Sequence, residues 1–134
     1  MSNSRFAKNT SVPVERTRAE IERALRVYGC DAFAFGWAIE GAMIQFSHRG
    51  RSVKVSVPTP QGKSEAKTAQ LERQRWRILL LLIKAQIEAV EIGLATFEEA
   101  FLPWMLLADG STVAQRMIGE LPAAKEPLKL KAAR

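Results

Sequence analysis

The sequence of 134 residues has very few of the residues from which active sites and metal sites are usually built. It contains one cysteine, Cys30, and one histidine, His48. A single cysteine excludes a disulfide bond within the chain, and no CxxC, HxxxH or HExxH spacing is present to hold zinc. Glycine-rich phosphate loops and the GxSxG nucleophile motif are also missing. We therefore predict a protein that is not an enzyme and that uses no metal or cofactor.

Long apolar segments are missing as well. The run from Ile78 to Ile83 has six residues, whereas a membrane-spanning helix needs about 18 or more. The N-terminus, Met-Ser-Asn-Ser-Arg, lacks the apolar stretch of a signal peptide. We therefore expect a cytoplasmic protein that does not interact with a membrane.

The sequence has fewer acidic than basic side chains. Lys and Arg number 20 and Asp and Glu 14, which gives a formal net charge of +6. Residues 1–63 hold 10 basic and 5 acidic side chains, and residues 64–134 hold 10 and 9, so the excess lies mainly in the first half. A basic surface attracts polyanions, and nucleic acid is the most common of these partners.

The hydrophobic pattern predicts a single α+β domain over residues 12–121. A first helix should begin near Pro13 and end at Gly29, because Pro suits a first turn and Gly a left-handed cap. A long central helix should run from an N-cap at Ser64 to Gly93. Its middle is apolar on every side, so we expect other elements to cover it from more than one direction.

Two short helices should follow the long one, and both ends of the chain should lack regular structure. Thr96 and Glu99 match a capping box that opens the first short helix, and the second begins at Val113. Residues 1–11 are polar and residues 122–134 are basic, and both have few groups to bury. They are predicted to form a flexible arm and a disordered basic tail.

Between the first two helices the apolar period changes to two, which is typical of β-strands. Glu40-Gly41 and Arg49-Gly50 provide two turns, so the pattern predicts a three-stranded antiparallel meander. The register that follows places all large apolar side chains on one face. Its predicted pairs are Trp37 with Ile44, Phe35 with Phe46, Phe46 with Val53, and Ile44 with Val55.

The other face of this predicted sheet is small and polar. Lys54 is its only strong cation, and it carries no aromatic ring. Sheets that bind single-stranded nucleic acid usually stack bases on exposed aromatic rings, so we do not expect that mode here. The small residues would instead allow close approach of a partner's backbone, or a helix would cover them.

Two groups of basic residues are candidates for phosphate contacts. Arg49 and Arg51 lie beside His48 at the second turn, although turns are also often charged because they are solvated. Arg73 and Arg77 flank Trp76 on the long helix. A tryptophan between arginines either stacks on bases or belongs to the core with the arginine stems over it.

Three segments resemble small proteins encoded by phages and prophages. They are SVPVERTRAEIERALRVYG, GRSVKVSVPTP and RQRWRILLLLIKAQIEAVEIGLATFEEAFLPWMLLADGSTV. The similarity covers most of the chain from Ser11 to Val113. It implies a mobile-element protein in the bacterial cytosol, and it assigns no catalytic or binding residue.

We therefore predict a protein that binds nucleic acid without catalysis and largely independently of sequence, since nothing resembles a recognition helix or a zinc module. Its predicted phosphate contacts are Arg49, Arg51, Lys54, Arg73 and Arg77. The alternative is a small phage inhibitor that binds and blocks a host protein, such as a defence complex of the kind that anti-CRISPR proteins target. A homo-oligomer would form through an exposed meander edge or the polar first turns of the long helix.

Overall fold

The computed structural model describes residues 10–123, and the predicted arm and tail lie almost entirely outside this part of the chain. Its order of elements confirms the predicted α+β class. The helices and strands are α1 (Val14–Tyr28), β1 (Ala32–Ala38), β2 (Gly41–His48), β3 (Arg51–Pro58), α2 (Glu65–Glu91), α3 (Phe97–Phe101) and α4 (Val113–Met117), with 3-10 turns at Leu102–Trp104 and Ile118–Glu120.

The predicted helix boundaries are confirmed by their capping groups. Helix α1 ends at Gly29, which adopts a left-handed conformation with φ of 112°. Helix α2 begins after Ser64, whose hydroxyl accepts a hydrogen bond from the Lys67 N–H at 3.1 Å. Gly93 ends α2 with φ of 80°. The Gly93 N–H donates to the Val90 carbonyl, and the Leu94 N–H donates to the Ala89 carbonyl. This pair of hydrogen bonds is a Schellman motif.

The three strands form the predicted antiparallel meander in the order β1-β2-β3. The register of the second hairpin is confirmed, because Phe46 pairs with Val53. The register of the first hairpin was wrong by two residues, since Phe35 pairs with Ile44. A shift of two keeps every side chain on its predicted face, so the division into an apolar and a polar face is unchanged.

Gly41 explains the shift in the first hairpin. It lies within β2 opposite Pro58, and the turn is formed by the two residues before it. A Cβ at Gly41 would lie 2.6 Å from the Val57 carbonyl oxygen, and its φ is 151°. The glycine is therefore needed for close contact between two strands as well as for its backbone conformation.

Three helices, α1, α2 and α3, contribute to the core against the apolar face of the sheet. The Phe46 and Phe101 rings meet edge to face at 5.5 Å, and Phe35 lies 5.8 Å from Trp76. The most deeply buried apolar side chains, from both helices and sheet, are Ile21, Leu25, Ile44, Phe46, Val53, Trp76, Leu80, Ile83 and Phe101. The core interpretation of Trp76 is thus confirmed.

Helix α2 is covered from more than one direction, as expected, but among the described residues its outer side is left exposed. It buries Trp76 and Leu80 in the core, but Ile78 and Leu81 on its outer side are 38% and 48% exposed. The reason is that α1, α3 and the sheet all approach α2 from its inner half. No helix within residues 10–123 is long and apolar enough to cross a membrane.

The two edges of the sheet differ. The outer edge of β3 is met by the segment after α3, where the Leu106 N–H donates to Ser52 O at 2.9 Å and Met105 bridges to Val53. Strand β1 pairs with β2 alone among the described residues. The edge of β3 is therefore partly covered by another segment of the chain. Among the described residues, the edge of β1 has backbone groups that are free to pair.

Candidate nucleic-acid interface

The polar face of the sheet is open among the described residues, and its strands carry no carboxylate. The three strands contain no Asp or Glu, and the helices that form the core pack on the opposite face. On the polar face Gln45 lies opposite Lys54 and Ser47 opposite Ser52. Hydroxyl, amide and ammonium groups are the side chains that commonly bind phosphate oxygens and sugars. This face is therefore polar, flat and weakly positive.

Lys54 is the predicted contact that lies directly on this face. It borders a shallow cleft of about 550 Å³ with Met43 and Ser56, and Glu40 of the first turn lines the far end of this cleft. Its stem is half-buried among these neighbours, while no ion pair holds its ammonium group within residues 10–123. The ammonium group is thus available to a phosphate.

Arg49 lies at one end of the sheet, in the turn between β2 and β3. It is the one described residue other than glycine with a left-handed backbone, with φ of 49°. Its N–H donates to the Asp31 carboxylate at 3.0 Å, which ties the turn to the start of β1. The guanidinium makes no hydrogen bond within the described part of the chain, so it adds positive charge at this end of the sheet, where its charge also reaches the Tyr28 hydroxyl on the helical side.

Arg51 points towards the helices and has an internal partner. Its Nε lies 3.4 Å from the Glu98 carboxylate, and both side chains are largely exposed. Exposed ion pairs of this kind contribute about 0–1 kcal/mol, so the pair is easily opened. Arg51 is nevertheless on the side of the sheet opposite Lys54.

The two predicted arginines of α2 bind groups of this chain. Arg73 donates to the Gln70 side chain at 2.7 Å and to the Thr10 carbonyl at 3.4 Å. Arg77 donates to the Thr17 hydroxyl at 3.2 Å and to the Glu20 carboxylate at 2.9 Å. Thr17 is fully buried, and its hydroxyl has this hydrogen bond to the guanidinium. Arg77 therefore joins α1 to α2.

The five predicted contacts are thus not gathered at one place. Lys54 and Arg49 belong to the open face and its hairpin, whereas Arg51, Arg73 and Arg77 lie on the helical side with partners of their own. Nothing in the structure tests their binding role, which stays a prediction. The geometry reduces the candidate interface to the open face with Lys54 and Arg49.

Sequence reasoning missed the exposure of the first hairpin. Trp37 and Ile39 are 78% and 93% exposed although Trp37 lies on the apolar face of the sheet. Trp37 lines a groove of about 460 Å³ between the tip of the hairpin and the helices, with Phe35 and Arg18. The available signal was its position one pair before the turn of an edge strand, since such strand ends extend beyond the helices that cover a sheet.

Cys30 and His48 do not form a nucleophile and base pair. The His48 ring packs between Tyr28 and Phe97 at 4.9 Å from each, and its Nδ1 donates to the Gly29 carbonyl at 3.1 Å. Burial, with a smaller effect of the Asp31 carboxylate, raises the pKa of the Cys30 thiol to about 11. Cys30 is thus a protonated, half-buried thiol at neutral pH.

This raised pKa predicts an unreactive thiol. At pH 8 we expect iodoacetamide to alkylate Cys30 in the folded chain roughly 100-fold more slowly than it alkylates free cysteine, because the thiolate is the nucleophile. The rate is measured by mass spectrometry over time. Unfolding the chain in urea should restore the ordinary rate, and a folded-state rate equal to that of free cysteine would contradict the prediction.

Within residues 10–123 no three His, Cys, Asp or Glu side chains lie close enough to hold a metal ion. Comparison with protein-family models, curated proteins and solved structures gives no significant match. The functional assignment therefore rests on the geometry and chemistry of the surfaces described above.

Proposed function

We propose that this chain is a non-enzymatic protein that binds the sugar-phosphate backbone of nucleic acid on the open face of its sheet. The observation that supports this most is the absence of carboxylates from the strands of a face that no described residue covers and that carries Lys54, Gln45 and several serines. Glu40, in the first turn, is the acidic side chain that lines its cleft. Arg49 extends the charge at one end. These groups can hold phosphates, and none is placed to read base edges, so binding is independent of sequence.

The small number of cations sets the affinity. Lys54 and Arg49 neutralise about two phosphates per chain, so log K should fall with log salt with a slope of about −2 on duplex DNA. The three arginines on the helical side add little, because their partners would have to be given up. Binding is thus moderate at low salt and weak at physiological salt.

The test is fluorescence anisotropy with labelled single- and double-stranded oligonucleotides at about 50 and 200 mM salt. We expect Lys54→Glu to lower the affinity at least about tenfold, since it removes a positive charge and adds a negative one on the same face. Lys84→Glu is the matched control, because Lys84 is exposed on α2 on the helical side. It should change the affinity by less than about threefold.

Arg49→Glu should act in the same direction as Lys54→Glu. Two results would overturn the proposed function: no binding by the unchanged chain at the lower salt, or equal losses in the Lys54 and Lys84 variants. The second result would mean that net charge alone governs the interaction.

The second candidate function is inhibition of a host protein in the bacterial cytosol, and the exposed hairpin tip favours it. Trp37 and Ile39 are large apolar side chains that water does not favour at such exposure, and exposed aromatic anchors are typical of protein interfaces. A partner captured from bacterial lysate that is lost with Ile39→Ser, but kept with Lys54→Glu, would support this function instead.

A further inference from the structure

The free edge of β1 lacks every usual protection against strand pairing. Its sequence, AFAFGWA, holds no charged residue and no proline, and it has seven residues. Natural sheets usually protect such an edge with lysine, proline, a bulge or covering chain, and within residues 10–123 only β3 is met by another segment. Strand β1 is therefore suited to receive another strand.

The side chains of β1 are complementary to a second copy of themselves. In an antiparallel pairing centred on Phe35, Phe35 lies opposite its own copy and Phe33 lies opposite Trp37 of the second copy. All these rings are on the same face of the extended sheet, and cross-strand aromatic pairs are favourable. The Trp37 ring, which is exposed in the single chain, would then be covered by the second copy.

A stripe of charges on α1 runs beside this edge. Glu15 and Arg18 line the groove next to Phe35 and Trp37, and Glu22 and Arg26 line a smaller cavity next to Ala32 and Phe33. In chain order the stripe reads acidic, basic, acidic, basic. The Arg18 guanidinium also lies 4.1 Å above the Phe35 ring, close to the centre of the edge.

An antiparallel pairing would also bring the ends of the two charge stripes together. The end of β1 near Trp37 would face the end near Phe33 of the second copy, so Glu15 would approach Arg26 of the second copy, which in its own chain is paired with Glu22 at 2.7 Å. Arg18 lies over Phe35, on the two-fold axis, and would face its own copy there. The aromatic row therefore determines the position of the axis, and the charges at the ends of the stripe favour the antiparallel direction.

We propose that two copies of this chain pair through their β1 strands to form a two-fold dimer with one continuous six-stranded sheet. The open faces of the two copies would form a single surface with two Lys54 and two Arg49 side chains. Dimerisation is independent of the proposed function and is tested without nucleic acid. Where both hold, the doubled surface roughly doubles the salt slope of binding.

The first test is sedimentation equilibrium of the full chain over roughly 1 to 100 µM. We expect a concentration-dependent shift from the mass of one chain to the mass of two. A single-chain mass at the highest concentration would overturn the proposal. Hydrogen exchange should also show slower exchange of the β1 amides in the dimer, and unchanged exchange there would place the dimer contact elsewhere.

A substitution at the aromatic row localises the contact. Trp37→Ser should weaken self-association at least about tenfold, because it removes the exposed ring that would lie against Phe33 of the second copy at both ends of the interface. Ile118→Ser is the control, since Ile118 is similarly exposed but lies in the last 3-10 turn. Equal dimerisation of the Trp37 variant and the unchanged chain would contradict the proposed pairing.

Discussion

Trp76→Ala is expected to destabilise the chain by about 3–5 kcal/mol, a large part of the stability of a domain of this size. Trp76 is 1% exposed, is the largest of the fully buried side chains, and contacts Phe35 of the sheet from α2. Its removal would leave a cavity between the helix layer and the sheet. Urea denaturation followed by circular dichroism measures the change in the free energy of unfolding.

The matched control is the same substitution at Trp37. Because the Trp37 ring is exposed in one chain, Trp37→Ala should change the free energy of unfolding by less than about 1 kcal/mol at concentrations where the chain is monomeric. Similar losses in the two variants would show that Trp76 does not fill the core in the way described.

Arg77→Met is expected to cost about 1.5–3 kcal/mol, although methionine keeps most of the apolar stem. The substitution removes the donor to the buried Thr17 hydroxyl and to the Glu20 carboxylate, so polar groups of α1 lose their partner. The Arg77 side chain is 24% exposed, which makes solvent a poor replacement. Urea denaturation again gives the change, with the exposed Arg23→Met on α1 as the control.

The same variant tests the predicted binding role of Arg77. If Arg77 only joins the two helices, folded Arg77→Met will bind oligonucleotides as the unchanged chain does. A variant of unchanged stability but reduced affinity would support the sequence-based prediction and contradict the structural role. Measured stability and measured affinity together therefore separate the two interpretations.

The sequence predicted the elements and the faces of the sheet because both depend on local patterns. Each of these signals occupies only a few neighbouring residues. They are the spacing of apolar residues, the capping groups at Ser64 and Thr96, and the glycine after each long helix. The first hairpin register was missed because Gly41 looks like a turn residue. Its actual requirement is the proximity of Val57, a contact between strands that no local pattern contains.

The candidate site was less predictable because its charges have distant partners. Glu20 and Thr17 bind Arg77 across 57 and 60 residues of sequence, and Arg51 meets Glu98 across 47. A count of basic residues treats these arginines as free to bind a partner. In the folded chain they are instead bonded to groups of the chain itself. Lys54 lies on a strand face and Arg49 in a turn. Of the five predicted contacts, only these two have positions in the sequence pattern that indicate a cation free to bind phosphate.

The covered edge of β3 limits how far sheets of this kind can grow. Leu106 and Met105 occupy the backbone groups of Ser52 and Val53, and the rest of β3 carries Lys54 and ends in Pro58, which disfavour a further strand. A chain with two bare edges would add copies without end and form filaments, as open head-to-tail contacts do. With a single free edge on each chain, one pairing of two copies leaves no free edge. The assembly therefore stops at the dimer, even at high concentration.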